Sequence, residues 1–132
     1  MVCYFQTIKQ EGVHMDTVLI AHNPGPFADA LAEYLHDICD VWVCHTGAEA
    51  LALIDRLHPD VLILYLSLSD MDGISILQKV SYKPKFIIAL TSLVTDLVVQ
   101  QANAVGISDI ILIPCRVSIV LDHINMYFSS EK

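Results

Sequence analysis

Basic residues are scarce: seven Lys and Arg stand against 15 Asp and Glu, for a formal net charge of −8 at pH 7. A surface that grips nucleic-acid phosphates needs clustered Lys and Arg, so direct nucleic-acid binding by this domain is not expected. Long apolar runs are missing as well. None reaches the ~18 to 20 residues needed to cross a bilayer, and no basic stretch leads into an apolar one near the N-terminus. Neither a membrane span nor a secretory signal is therefore expected, and a cytoplasmic location is. The cysteines Cys3, Cys39, Cys44 and Cys115 include no C-x-x-C pair, which argues against a zinc knuckle or a thioredoxin-type motif and for reduced, mostly buried thiols. No G-x-S-x-G turn is present, and no nucleophile–base pair is evident, so the chain is not expected to be an enzyme.

What is present is enough apolar material for a full core, 55% of 132 residues, and a length that suits one domain. Residues 1–16 break any apolar period and read as an N-terminal extension or tag, and residues 129–132 as a C-terminal tail. Between them, over 17–128, short apolar runs alternate with helical spacings. Strands are predicted over Thr17–Ala21, Asp40–Cys44, Val61–Tyr65, Lys85–Leu90 and Asp109–Ile113. Helices are predicted over about 26–38, from Thr46 to about Leu57, from Gly73 to about Val80, over about 94–104 and over 116–128. Pro26 suits a helix start, and Thr46 with Glu49 reads as a capping box. Alternation of this kind implies a doubly wound, flavodoxin-like parallel sheet of five strands in the order 2-1-3-4-5 with helices on both faces. Ligands in such sheets bind beyond the strand C-termini, which gathers His22, Asn23, Tyr65, Thr91, Ser92 and Ile113 around one crevice.

Over about 17–128 the chain resembles bacterial response-regulator receiver domains, the CheY-like family. Pro59–Leu64 resembles that family's "PDLVLLD" strand up to its aspartate. Ser69–Gly73 resembles "P-x-M-D-G", Leu90–Ser92 the "T-A" or "T-S" strand end, Gly106 with Ile113-Pro114 the "G-A-x-x-Y-x-x-K-P" segment, and Thr46–Leu51 the "x-G-x-E-A-L" helix start. The resemblance implies the sheet order above and a cis bond before Pro114.

The departures from the family pattern carry the functional reading. The acidic pair that holds Mg²⁺ falls on His22 and Asn23, the phosphorylated aspartate on Tyr65, the lysine that meets the phosphoryl group on Ile113, and the aromatic switch residue on Ile110. Thr91 alone is kept. Mg²⁺ takes hard oxygen ligands, usually including carboxylate, and a phenol with a pKa of about 10 does not replace a carboxylate nucleophile. The resemblance therefore implies a degenerate receiver with a lost Mg²⁺ site and no cofactor, in which Tyr65 packs near Ile113. His22 as a base or metal ligand lacks partners at suitable spacing, and Asp70 and Asp72 read as turn and cap residues.

Receiver domains commonly signal through the face made by the fourth helix, fifth strand and fifth helix. Here the stretch from Phe86 to Cys115 has no Lys or Arg, and only Asp96 and Asp109 are acidic. An exposed apolar strip drawn from Val94, Leu97, Val98 and Val99, with Gln101 and Ile110 beside it, is expected to bind a protein partner or a second copy. Phosphorylation-independent interaction in intracellular signalling, as a stand-alone protein or the regulatory half of a transcriptional regulator, is the leading expectation. Two alternatives stay open: a small-molecule site in the emptied pocket lined by His22, Asn23, Tyr65 and Thr91, or phosphorylation at an unexpected residue such as Asp70 or Tyr65.

Overall fold

The computed structural model describes residues 15–130. The elements run β1 (Thr17–Ala21), α1 (Pro26–Leu35), β2 (Asp40–Cys44), α2 (Gly47–Leu57), β3 (Val61–Tyr65), α3 (Gly73–Lys79), β4 (Phe86–Thr91), α4 (Asp96–Val105), β5 (Asp109–Leu112) and α5 (Val117–Ser130). The strands pair in parallel in the order β2-β1-β3-β4-β5, as the alternation implies. Val61–Leu64 of the central strand are buried without exception, which explains why that strand carries no polar alternation.

The two-residue period of the strands divides the core into two layers. Val18, Ile20, Val61, Ile63, Ile88 and Leu90 face α1 and α5. Leu19, Ala21, Leu62, Leu64, Ile87 and Ala89 face α2, α3 and α4. Each fully buried Leu or Ile contributes about 1.5–3 kcal/mol. Asp60 locks the sheet at its other end: its carboxylate accepts from the Thr17 N–H at 2.8 Å, and its own N–H donates to the Thr17 carbonyl at 2.9 Å.

Several boundaries differ from the sequence reading. The first helix stops at Leu35, and Ile38 lies beyond it, exposed. The fourth helix begins at Asp96 because Thr95 is its N-cap, its hydroxyl accepting from the Val98 N–H, so Val94 lies in the preceding loop. The fifth helix runs on through Ser129 and Ser130, which are therefore not a tail. Of the expected N-terminal extension, residues 1–14 lie outside the described residues. At Thr46 the capping box is altered. Thr46 accepts from the Glu49 N–H, while the Glu49 carboxylate accepts from the His45 N–H at 3.0 Å, one residue before the cap. The peptide bond between Ile113 and Pro114 is cis, in line with the family pattern. Cys39 and Cys44 are buried thiols, each pushed up to about 12 chiefly by burial.

Candidate functional site

All the strands end on one rim, and the residues just past each end define the site. His22 follows β1 and is fixed by its N–H, which donates to the Cys44 carbonyl at 3.1 Å. Its ring lies between two others, stacked on Tyr65 with centroids 4.8 Å apart and tilted against Phe27 at 5.4 Å. His22 Nδ1 lies 3.1 Å from the Asn23 carbonyl oxygen, so that nitrogen carries the hydrogen and donates it. His45 Nδ1 in turn donates to the His22 carbonyl at 2.9 Å. Burial is the main cause that holds the His22 imidazole below its usual value of 6.5. The Asn23 hydrogen bond opposes this, and nearby His45 adds to it. At neutral pH the ring is uncharged.

Thr91 is buried, and its hydroxyl is committed to its own loop. It donates to the Leu93 carbonyl at 3.2 Å and accepts from the Leu93 N–H at 3.3 Å. Asp70 and Asp72 are likewise committed. The Asp70 carboxylate accepts from the N–H groups of Gly47 at 2.7 Å and Ala48 at 3.1 Å, the first residues of α2. Those two bonds, in that order, hold its carboxyl below the usual range. Asp72 caps α3 through the Ser75 N–H at 2.9 Å.

Among the described residues, the rim residues expected around one crevice divide between two hollows. His22 and Ile113 line a cavity of about 200 Å³ with Phe27, Pro114 and Cys115. Thr91 and Ser92 instead line a separate cleft of about 480 Å³ between α3 and α4, with Gln78 and Gln101 on its sides. Tyr65 belongs to neither lining. It is half-buried, packs against both core layers and stacks on His22. Phe27 was missed in the sequence because it reads as one more apolar helix position. Its place one turn above Leu31, next to the proline at the helix start, was the only available signal.

The residues at the family's metal positions do not fit Mg²⁺. His22, Asn23 and Tyr65 offer an imidazole, an amide and a phenol and no carboxylate. Among the described residues, no group of three His, Cys, Asp or Glu is placed to hold a metal ion. None of their helices is long and apolar enough to cross a membrane.

The second candidate surface is the β5 edge with α4 and α5. On α4 the residues turned to the core are Val98, half-buried, with Ala102 and Val105. Successive residues turn by about 100°, so Leu97 and Val99 point about 160° apart and form no single strip. Gln101 lies on the α3 side, in the cleft, and Val99 lies on the opposite flank. Leu97, Gln101 and Val98 fall within about 100° of one another on α4, Val98 and Gln101 line the same cleft, and Val94, exposed like Leu97, precedes the helix. Ile110 is half-buried against the α4 layer, and Leu112, on the same sheet face, is 57% exposed. On α5, His123 Nδ1 lies 2.9 Å from an Asp109 carboxylate oxygen and marks the flank that meets β5. Ile119 and Met126 lie one turn to either side of His123 on that flank, and both are exposed.

A model of the response regulator receiver domain matches residues 18–125. The protein-glutamate methylesterase/protein-glutamine glutaminase 3 of Rhodospirillum rubrum is 33% identical over 102 residues, 74% of this chain and 28% of that protein. The transcriptional regulatory protein TrcR of Mycobacterium tuberculosis is 51% identical over 41 residues, 31% of this chain and 16% of that protein. The chain thus spans less than a third of the length of these curated relatives. The crystal structure of a CheY-like response regulator receiver domain protein from Methanospirillum hungatei superimposes with a TM-score of 0.77 at 18% identity, covering 89% of this chain and 96% of that one.

Proposed function

The chain belongs to the response regulator receiver domain family, and we propose that it works in two-component signalling as a protein-contact module whose output does not depend on phosphorylation. The observation that carries this reading is Tyr65. It stands where the family resemblance puts the phosphorylated aspartate, and its ring is stacked on His22, which stands where an acidic metal ligand would be. Phosphoryl transfer to a receiver needs a carboxylate nucleophile, a dication to gather charge and a cation to meet the product. Tyr65, His22 with Asn23, and Ile113 supply none of the three. The hydroxyl of Thr91, bonded within its own loop, has no phosphoryl group to follow. Asp70, the remaining carboxylate considered as an acceptor, already binds two backbone N–H groups at the start of α2.

In this reading the domain carries out no catalytic step, needs no Mg²⁺, binds no nucleic acid itself and acts in the cytoplasm. Its partner, a second copy or another protein, meets the exposed apolar groups of the α4–β5–α5 face, Val99, Leu112, Ile119 and Met126. The charged pairs of family dimers are not available there, so the contact is mainly apolar. A relative described as a transcriptional regulatory protein suits a role as the regulatory part of a longer regulator. The test is incubation with acetyl phosphate and Mg²⁺ followed by intact-mass measurement. The expected result is no added phosphoryl mass, and phosphate mapped to Tyr65 or Asp70 would refute the proposal.

A further inference from the structure

The cleft between α3 and α4 carries polar groups that the fold does not use. Its volume is about 480 Å³, within the range of protein ligand sites. Gln78 lines it from α3, Gln101 from α4 and Ser92 from the loop after β4. All three are exposed, and among the described residues none of their side chains meets a hydrogen-bond partner. Two helices thus hold out unpaired primary amides, each with donor and acceptor functions. A peptide group offers the matching acceptor and donor in return.

The charge of the cleft has one sign. Of the residues that line it, Asp72 is the one acidic group, and none is Lys, Arg or His. The Asp72 carboxylate oxygens accept from the Ser75 N–H and the Ser75 hydroxyl, both at 2.9 Å. A carboxylate has about four acceptor positions, so about half stay open after these two bonds, and Asp72 is exposed. With no cation beside it, in a chain of net charge −8, this acceptor attracts a positive group and repels an anionic one. Leu66, Ile74, Leu93 and Val98 supply apolar wall between the polar groups. An open cleft of this kind suits an extended segment that enters and leaves it rather than an enclosed small molecule.

We propose that this cleft binds an extended segment of a partner protein that carries one Lys or Arg next to an apolar residue. The cation meets Asp72, the peptide groups of the segment pair with the amides of Gln78 and Gln101, and the apolar side chain packs on Leu93 and Val98. The cleft lies on the α3 side of α4, away from Leu112 and Met126, so the proposal stands or falls independently of a contact on the α4–β5–α5 face.

The test is an NMR titration of the whole chain with the blocked peptide acetyl-Leu-Arg-Ala-amide, observing backbone amides and glutamine side-chain amides. Saturable shifts centred on Asp72, Gln78, Ser92 and Gln101 are expected. The same peptide with citrulline for arginine keeps the shape and loses the charge, and it should bind about fivefold more weakly. Asp72→Asn keeps a capping oxygen at the start of α3 and should remove that preference. Gln101→Leu should weaken both peptides about fivefold. Leu112→Lys with Met126→Lys should leave both affinities unchanged. Unchanged amide positions in β1 and α2 verify that each variant is folded. If a variant does not fold, the comparison of the two peptides on the unaltered chain still decides. Absence of saturable shifts up to about 10 mM peptide, shifts centred elsewhere, equal affinity for the two peptides, a preference that survives Asp72→Asn, or binding lost in the double variant would overturn the proposal.

Discussion

His22 shows how a single substitution changes the physics of a site. Where the family resemblance puts a carboxylate, it brings a partly buried ring stacked on Tyr65. Its pKa in the fold lies below the usual 6.5, mainly through burial. Between that lower value and 6.5 the unfolded chain binds more protons than the folded one, so stability rises with pH through this window. Put the other way, stability is lost as pH falls below about 6.5 and levels off below the folded value. His22→Gln should flatten this part of the profile, as read by the difference in melting temperature between pH 5 and pH 7.5. An unchanged slope in the variant would mean that His22 is not the group responsible. Gly73 is a second residue-scale case. A Cβ there would come within 2.7 Å of Leu66 Cδ2 and 3.0 Å of Leu64 Cδ2, so Gly73→Ala forces the core to give way. A destabilisation of about 1–3 kcal/mol is expected in a urea melt.

At the scale of elements, the caps decide what the apolar pattern leaves open. Thr95 sets the start of α4, and Thr95→Ala should cost about 1 kcal/mol in a chemical melt, with the loss of amide protection concentrated at Val98 and Val99. The elements themselves were legible because each strand is a short apolar run and each helix has periodic apolar positions, with Val61–Leu64 the plainest case. Their ends were less so. Ile38 continues the helical spacing of α1 yet lies outside it, since spacing alone does not say where the backbone bonds stop. Val94 precedes a Thr whose capping power outweighs its own apolar character. The site was legible as a set of replaced charges, all on residues that follow strands. Its geometry was not. That Thr91 and His22 open into different hollows, that Phe27 completes the ring stack, and that Asp70 ties the β3–α3 loop to α2 all depend on tertiary placement, which no local pattern encodes.

For the whole molecule, the partner contact proposed for the cation-poor, apolar β5 edge of this strongly acidic chain would rest on buried surface rather than on exchanged charge. Leu112→Lys with Met126→Lys should weaken any self-association seen by analytical ultracentrifugation at least about tenfold. Because both positions are exposed, stability should stay within about 0.5 kcal/mol. Val98→Glu is a contrasting control: its side chain packs in the α4 core layer, so it should unfold the domain rather than probe the face. Association unchanged in the double variant would move the contact to another surface.

In the proposed reading the rim does not respond to a phosphoryl group. Its most direct test is an amide NMR titration with Mg²⁺ and then with beryllofluoride as a phosphoryl mimic. The amides of Asn23, Tyr65 and Thr91 are expected to stay in place through both additions. Saturable shifts centred on those three residues would show that the site still binds and would contradict it.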